Sequence, residues 1–387
     1  MGRYLTSSWS LYLTRLSNAQ LLEPGAEIPV KVVAVPKTLK TPRLIAQEPT
    51  HMQYMQQGLR VFLYDYVDKD NLLSSFIGFD DQTPNQRMAK EGSLYGNLAT
   101  LDLSEASDRV SNQHVRALTH RWPLITEALD ATRSRKADVP GHGVIRLAKF
   151  ASMGSALTFP IEAMVFLTVV MMGIEDALNH QLTLKDVRSL RGKVRVYGDD
   201  IIVPVEYVPS VVARLEAFGL KVNGGKSFWS GNFRESCGKE YYQGFDVSVV
   251  KVRRVFPTHR KHVQEIISTV SLRNQMFISG YFKTAEMLDE LIERLIPFPA
   301  VLPTSPALGK FTFDGYKAEK MDKNLHTPLV RAMVVSSKPP VSRLDDYGAL
   351  LKFFLKRGDL PIVDREHLER AGRPRSVDIK TRWIQPY

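Results

Sequence analysis

The sequence predicts an α+β fold, and three observations carry that prediction. Residues 97–104, NLATLDLS, alternate between two faces; residues 195–205, RVYGDDIIVPV, read as a tight hairpin of β-branched residues; and beyond residue 255 the apolar positions recur at helical spacing. The order is a basic opening region, a mixed α/β centre and a mostly helical end. With 387 residues there is room for two or three subdomains around a substantial core, and 44% hydrophobic with 24% charged residues is the composition of a globular protein. A formal net charge of +11 points to a polyanionic partner, a nucleic acid or an anionic membrane surface, with solubility alone as the bland alternative.

Each element has its own signal. Residues 1–95 are basic and mixed, with the Lys/Arg/Pro-rich segment VKVVAVPKTLKTPRLIAQEP. In NLATLDLS, Leu98, Thr100 and Asp102 share one face and Ala99, Leu101 and Leu103 the other, so the strand ends by presenting Asp102. The spacing predicts a helix over 109–132 and a basic loop over 133–147, where Pro140, Gly141 and Gly143 punctuate the chain. A buried helix over 161–174 starts with Pro160 in its first turn, where the missing N–H costs little. The 194–205 hairpin has Gly198 at the first central position of a two-residue turn. A helix over 208–218 stops at Gly219, and a Gly/Lys loop leads to a hairpin in CGKEYYQGFDVSVVKV. Helices are expected over 259–278 (Val263, Ile266, Ile267, Val270), 284–295 (Met287, Leu288, Leu291, Ile292, Leu295) and 343–357 (Tyr347, Leu350, Leu351, Phe354), with the proline-rich PFPAVLPTSP between the second and the tail.

The single cysteine, Cys237, allows no intrachain disulfide and no cysteine-based zinc site, and the nine histidines contain no HExxH spacing. A reducing, cytosolic compartment follows as the expectation. The opening MGRYLTSSWSLYLTRLSNAQ lacks the apolar block of a signal peptide. The longest apolar run, IEAMVFLTVVMMGI, falls short of a bilayer span and carries Glu162, which weakens the membrane alternative.

The chemistry centres on Asp199 and Asp200. Adjacent carboxylates repel, and partial burial raises the cost, so either a cation offsets them or the pair is a solvated turn. If neighbouring strands bring Asp102 to the same place, three carboxylates could bind Mg²⁺, a hard cation often held by one or two carboxylates plus substrate phosphates. NGGKSFW imitates a phosphate-binding P-loop, but the first glycine would have to be residue 220, which is Leu220, so that reading fails.

At these residues the chain resembles a known family. YGDD (197–200) is similar to the signature hairpin of viral RNA-dependent RNA polymerases, TLDLSEASDRVS (100–111) to their first palm motif and SMGSALTFPIE (152–162) to their second. GNFRESCGKEYYQGFDV (231–247), DDQTPNQRMAKEGS (80–93) and VPKTLKTPR (35–43) resemble segments of the replicases of single-stranded RNA bacteriophages, the levivirus type. YGDD alone is a weak sign; six segments in unpermuted order from about residue 30 to 250 are a strong one.

The resemblance implies a right-hand polymerase fold: partial fingers over 1–95, a palm with an antiparallel sheet over 96–250 with a finger insertion near 120–150, and a helical thumb and tail over 251–387. It implies template-directed RNA synthesis from NTPs by two-metal nucleotidyl transfer, with Asp102 and Asp199 as ligands of two Mg²⁺ ions (Mn²⁺ as a substitute) and Asp200 as a looser third. It assigns Lys37, Lys40 and Arg43 to the triphosphate, Ser152, Gly154 and Thr158 to the template and incoming nucleotide, Gly198 to the turn, and Lys226 to protonation of pyrophosphate. Asp102 and Asp108 are separated by five residues, where many relatives have four, so Asp108 and Ser107 both stand as readers of the ribose 2′-hydroxyl. Glu162, where many relatives have asparagine, is either part of the site or a structural carboxylate bonded to backbone or to Thr158. Loop-lysine and solvated-loop readings stay beside the roles of Lys226 and of the three basic residues. About a hundred residues precede the first palm motif, fewer than in the family, which implies a partial chain or reduced outer fingers. The implied partners are RNA template and product, NTPs, host translation elongation factors and other host proteins, without a membrane, in the cytoplasm of an infected bacterium. Two rivals remain: a reverse transcriptase, against which Gly198 and the SEASD stretch argue, and a catalytically inactive RNA-binding or assembly subunit, against which the intact aspartates argue.

Overall fold

A strand with apolar residues on both faces needs cover on both sides, and the computed structural model provides it. The structure describes residues 22, 25–36, 42–338 and 376–387, and the chain divides into two units, Met1–Val249 and Val250–Tyr387.

In the first unit β1 (Val30–Pro36) and β2 (Pro42–Gln47) form a hairpin, followed by helices α1 (Thr50–Lys69), α2 (Leu73–Phe76) and α3 (Thr83–Tyr95). After β3 (Leu98–Ser104), the single helix expected over 109–132 is instead three: α4 (Ala106–Arg109), α5 (Asn112–Thr119) and α6 (Pro123–Thr132). Ser111 caps α5 by accepting the His114 N–H, and Trp122, ahead of a proline, is held outside the helical region at φ −123° and ψ 75°. The basic stretch expected as a loop contains a short hairpin, β4 (Lys136–Val139) and β5 (Gly143–Arg146), with β4 parallel to β1.

The buried apolar helix, α7 (Thr158–Leu178), is longer than 161–174 at both ends. Then come α8 (Leu184–Ser189), β6 (Arg195–Tyr197), β7 (Asp200–Pro204), α9 (Val208–Ala217) and β8 (Lys221–Val222). The last stretch is a three-stranded meander rather than one hairpin: β9 (Phe233–Ser236), β10 (Lys239–Tyr242) and β11 (Phe245–Asp246). Both of its turns, Cys237–Gly238 and Gln243–Gly244, have positive φ at both residues, the two-residue geometry whose twist matches flanking strands.

The central sheet runs β6-β7-β3-β8, antiparallel throughout. Ala99, Leu101 and Leu103 enter the main core with Ile201 and Val203 of β7, Phe166 and Val170 of α7 and Leu215 of α9. The opposite face buries Leu98 and Ile202 against Met88 of α3. Helices α7 and α9 approach closely at Gly173, where an added Cβ would lie 2.6 Å from the Val211 Cα.

The second unit contains the two helices expected there, shifted slightly, as α10 (Val263–Ile278) and α11 (Phe282–Glu293). It also contains a sheet not read from the sequence: β12 (Ala307–Leu308), β13 (Lys320–Met321), β14 (Pro328–Lys338) and β15 (Ser376–Ile384), with β14 pairing all three others. Its core joins Ile266 and Val270 of α10, Ile292 of α11, Phe298, Met333 of β14 and Ile379 of β15. Phe298 and Val301 of the proline-rich segment are buried, so that segment is packed rather than a linker. The helix expected over 343–357 lies outside the described residues.

Candidate active site

Strand register brings distant carboxylates together. β3 and β7 pair so that Asp102 lies directly opposite Asp200, and Asp199 is the neighbouring turn residue. The turn consists of Gly198 and Asp199, because Tyr197 pairs with Asp200. Gly198 has φ 58°, and an added Cβ would lie 2.4 Å from the Phe159 ring, so both backbone conformation and space require glycine there.

Asp102 is half-buried and tied to a turn that follows β8. The Asn223 side-chain amide donates to Asp102 Oδ2 at 2.9 Å, and the Asn223 N–H donates to the Asp102 carbonyl at 2.9 Å. The Asp102 N–H donates to Ser227 Oγ at 3.0 Å. Between these anchors Lys226 is exposed, its N–H donating to the Asn223 carbonyl. The turn therefore holds a cation beside a carboxylate strand although the two are more than a hundred positions apart.

Asp200 is oriented otherwise. Its Oδ1 accepts from Ser236 Oγ at 3.2 Å and from the Cys237 N–H at 3.1 Å. Burial, and then the negative charges of Asp199, Glu235 and Asp102, push its carboxyl up to about 6 against the opposing Cys237 bond. Burial and the nearby Asp200 push the Cys237 thiol up to about 12, so this cysteine is an inert neutral group. Glu162, on α7, is buried beside Ser107 and Thr158. Its carboxyl is held well above the usual range by burial and then by Asp199 and Asp108. Thr158 does not bond it: that hydroxyl donates to the Ser152 carbonyl at 2.8 Å, and among the described residues no donor meets the Glu162 carboxylate.

The other expected site residues are distributed as follows. Asp108 is exposed on α4 and ion-paired with Lys149. Ser152, Gly154 and Thr158 form the loop that enters α7, and Gly154, at φ 120°, lets β2 pass so close that a Cβ would clash with the Ala46 carbonyl. Arg43 is exposed on β2, opposite Val35 of β1, while Lys37 and Lys40 lie outside the described residues. Sequence reasoning missed Asn223, Ser227, Lys149 and Gln56. The last is fully buried in α1 and accepts from Ser155 Oγ at 3.0 Å and the Ala156 N–H at 3.2 Å, fixing the α7 entry loop. A glutamine on an amphipathic helix carries no signal of that task; Asn223, two residues ahead of a Gly-Lys pair, carries at least a turn signal.

The oxygen donors suit a hard divalent cation. Magnesium needs one or two carboxylates and takes its remaining ligands from water and phosphates, and Asp102 with the Asp199 turn can provide that. The fuller expectation of three converging carboxylates is met in strand register but not as a ready cage. Among the described residues no group of three or more His, Cys, Asp or Glu is placed to hold a metal. The physical reason is visible at Asp200, whose oxygen is engaged by Ser236 and Cys237.

A family model described as RNA replicase, beta-chain matches residues 27–270, which include every site residue named above. The chain belongs to this family. Among its sequence relatives are the RNA-directed RNA polymerase beta chain of Enterobacteria phage fr, 38% identical over 58% of this chain and 37% of that one, and that of Escherichia phage MS2, 37% identical over the same shares. The RNA-directed RNA polymerase subunit beta of Escherichia virus Qbeta is 40% identical over 58% of this chain and 35% of its own. The chain thus matches a little over a third of the length of these relatives. Among solved structures, the insertion-loop deletion mutant of the RNA-dependent RNA polymerase of a human picorbirnavirus has TM-score 0.43 at 13% identity over 69% of this chain and 57% of its own. The BmCPV RNA-dependent RNA polymerase at elongation state has TM-score 0.45 at 14% identity over 71% and 27%.

Proposed function

We propose that this replicase beta chain carries the centre of an RNA-directed RNA polymerase and joins nucleotides from NTPs on an RNA template. The observation that carries the reading is the β3–β7 register, which sets Asp102 against the Gly198–Asp199 turn, with the Lys226 turn bonded to Asp102. Asp102 and Asp199 would hold magnesium, which when bound supplies charge stabilisation for phosphoryl displacement. Asn223 and Ser227 fix Asp102, and the turn they frame carries Lys226 as the proton donor to departing pyrophosphate. Arg43, with Lys37 and Lys40, draws the triphosphate by charge, and the Ser152–Thr158 loop, braced by Gln56, supports the template and new base pair. Asp108 and the recess by Ser107 are the candidates for sensing the sugar. Host translation factors as partners, and action in the cytoplasm of an infected bacterium, belong to the same proposal. No helix among the described residues is long and apolar enough to cross a membrane.

A second reading is an RNA-binding subunit without catalysis, to which Asp200 is relevant because its Oδ1 is already engaged by Ser236 and Cys237. The two separate on one assay: Mg²⁺-dependent NTP incorporation on an RNA template, with and without host extract. Asp199→Asn is expected to lower incorporation by about a hundred- to a thousandfold or more while RNA binding persists. Full synthesis by that variant would remove Asp199 from the mechanism, and RNA binding without any Mg²⁺-dependent synthesis would favour the second reading.

A further inference from the structure

Helix α10 carries a second pattern besides its buried stripe. Gln264, Ser268, Ser271 and Gln275 follow one another at spacings of four, three and four, so they share one face. At 1.5 Å per residue this face is about 16 Å long. It is neutral but rich in amide and hydroxyl groups, and Gln275 Nε2 already donates to Ser271 Oγ at 2.9 Å. These four side chains, with Ile267 and Leu272 between them, line a recess of about 400 Å³ that Lys251, Arg253, Arg254 and Val377 of β15 complete. The three cations open a run, residues 251–262 (KVRRVFPTHRKH), that contains seven basic or histidine residues and no acid. Among the described residues Glu265 lies 3.6 Å from Arg254, and Lys251 has an interaction of its own, so the charge of the recess rests mostly on Arg253 and Arg254.

We propose that this recess in the second unit is a binding site for single-stranded RNA, held by its phosphates on the Lys251–Arg254 wall and by sugar or base edges on the α10 stripe. The inference rests on the reading that the chain acts on RNA. Every lining residue belongs to the second unit, whereas the carboxylate centre belongs to the first. The cations favour a polyanion, and the 16 Å reach of the stripe exceeds what one small anion needs. A row of neutral donors and acceptors suits hydroxyls and base edges, whereas an acidic peptide would leave its amides and hydroxyls poorly used. Backbone neutralisation by Lys and Arg makes such binding salt-dependent in proportion to the number of phosphates contacted.

The test uses the full chain and a short fluorescent single-stranded RNA, with EDTA present and no NTP, titrated by anisotropy over a series of KCl concentrations. Arg253→Gln is expected to make the slope of log affinity against log salt shallower by about 0.7, and Arg253→Gln with Arg254→Gln by about 1.4. Gln264→Ala with Ser271→Ala is expected to weaken binding without moving the slope. Among the described residues Arg253 makes no ion pair, so Arg253→Gln remains informative if the double variant folds poorly. A parent-like slope in Arg253→Gln overturns the site. So does full displacement of the RNA by millimolar pyrophosphate, which would mark a small-anion pocket, or by polyglutamate of equal charge, which would mark a site for acidic peptides. Because nothing in the assay requires synthesis, a chain that adds no nucleotides yet responds to Arg253→Gln separates the two proposals.

Discussion

Buried Arg273 of the second unit and the buried carboxylates of the first are answered differently, while the first unit also holds an answered cation, Arg234, which donates to the Leu98, Gly231 and Phe233 carbonyls. In the second, the Arg273 guanidinium is almost wholly enclosed and fully answered: Nε and Nη2 donate to the two oxygens of Asp289 at 2.6 and 2.8 Å, and Nη1 donates to the Phe311 carbonyl at 2.6 Å. Its neighbour Asn274 continues the network by donating to the Gly309 carbonyl and accepting the Phe311 N–H. In the first unit, Glu162 is buried without a donor among the described residues, and Asp200 lies half-answered among like charges. A satisfied buried charge locks a fold together; a buried carboxylate left short of partners makes the fold less stable and is tolerated where a cation or substrate is to arrive. Arg273 thus ties the second unit together, while the first unit's carboxylates keep charge that their protein partners only partly answer.

The sharpest way to break this comparison is Arg273→Met. It would leave Asp289 with only the more distant Lys310, at 3.9 Å, and remove the bond to Phe311, at a cost of about 3 kcal/mol, read as a lower urea midpoint for the unit. A loss under about 1 kcal/mol would place Arg273 among ordinary surface pairs.

Asp200→Asn should act in the other direction. The folded carboxyl sits near 6 against an ordinary 3.8, so its charged form is disfavoured by folding. Above pH 6 that penalty is present in full; as pH falls through 6 the folded protein takes up the proton and gains stability, a gain complete below 3.8. At about 1.4 kcal/mol per pH unit, the asparagine variant should be more stable by about 2–3 kcal/mol at pH 8 in EDTA, with no advantage at pH 4. Glu162→Gln should share the sign. Equal melting temperatures for parent and variant at pH 8 would show that the carboxylates are better solvated than their burial implies.

A smaller effect is expected at Asn223. Groups that orient a metal ligand typically contribute about ten- to a hundredfold in affinity, so Asn223→Ala should weaken Mn²⁺ binding by about tenfold, measured by the free-ion electron paramagnetic resonance signal. Unchanged Mn²⁺ affinity would reduce the bond to Asp102 to a structural tie.

Much of the centre is legible in the sequence because it depends on local rules. Alternation in NLATLDLS gives a strand with two distinct faces, and Gly198 with Asp199 forms a two-residue turn because φ 58° is inexpensive only for glycine. The register between them is not local. A shift of one residue would turn Asp102 away from Asp200, and what prevents it is the burial of Ala99 and Leu101 on one side with Leu98 on the other. The breaks in the 109–132 helix could have been found at Ser111 and Pro123, where apolar periodicity outweighed cap and proline signals. The β14–β15 pairing could not, since even its nearest partners, Lys338 and Ser376, are separated by nearly forty residues.

By itself, then, the chain's sequence determined its elements, the acidic turn and the family, because side-chain periodicity and turn conformations act over a few residues. Only the tertiary structure decided which oxygens face which donors. Asn223 meeting Asp102, Ser236 and Cys237 taking Asp200, and Glu162 left without a donor among the described residues all depend on contacts between segments that nothing but packing brings together.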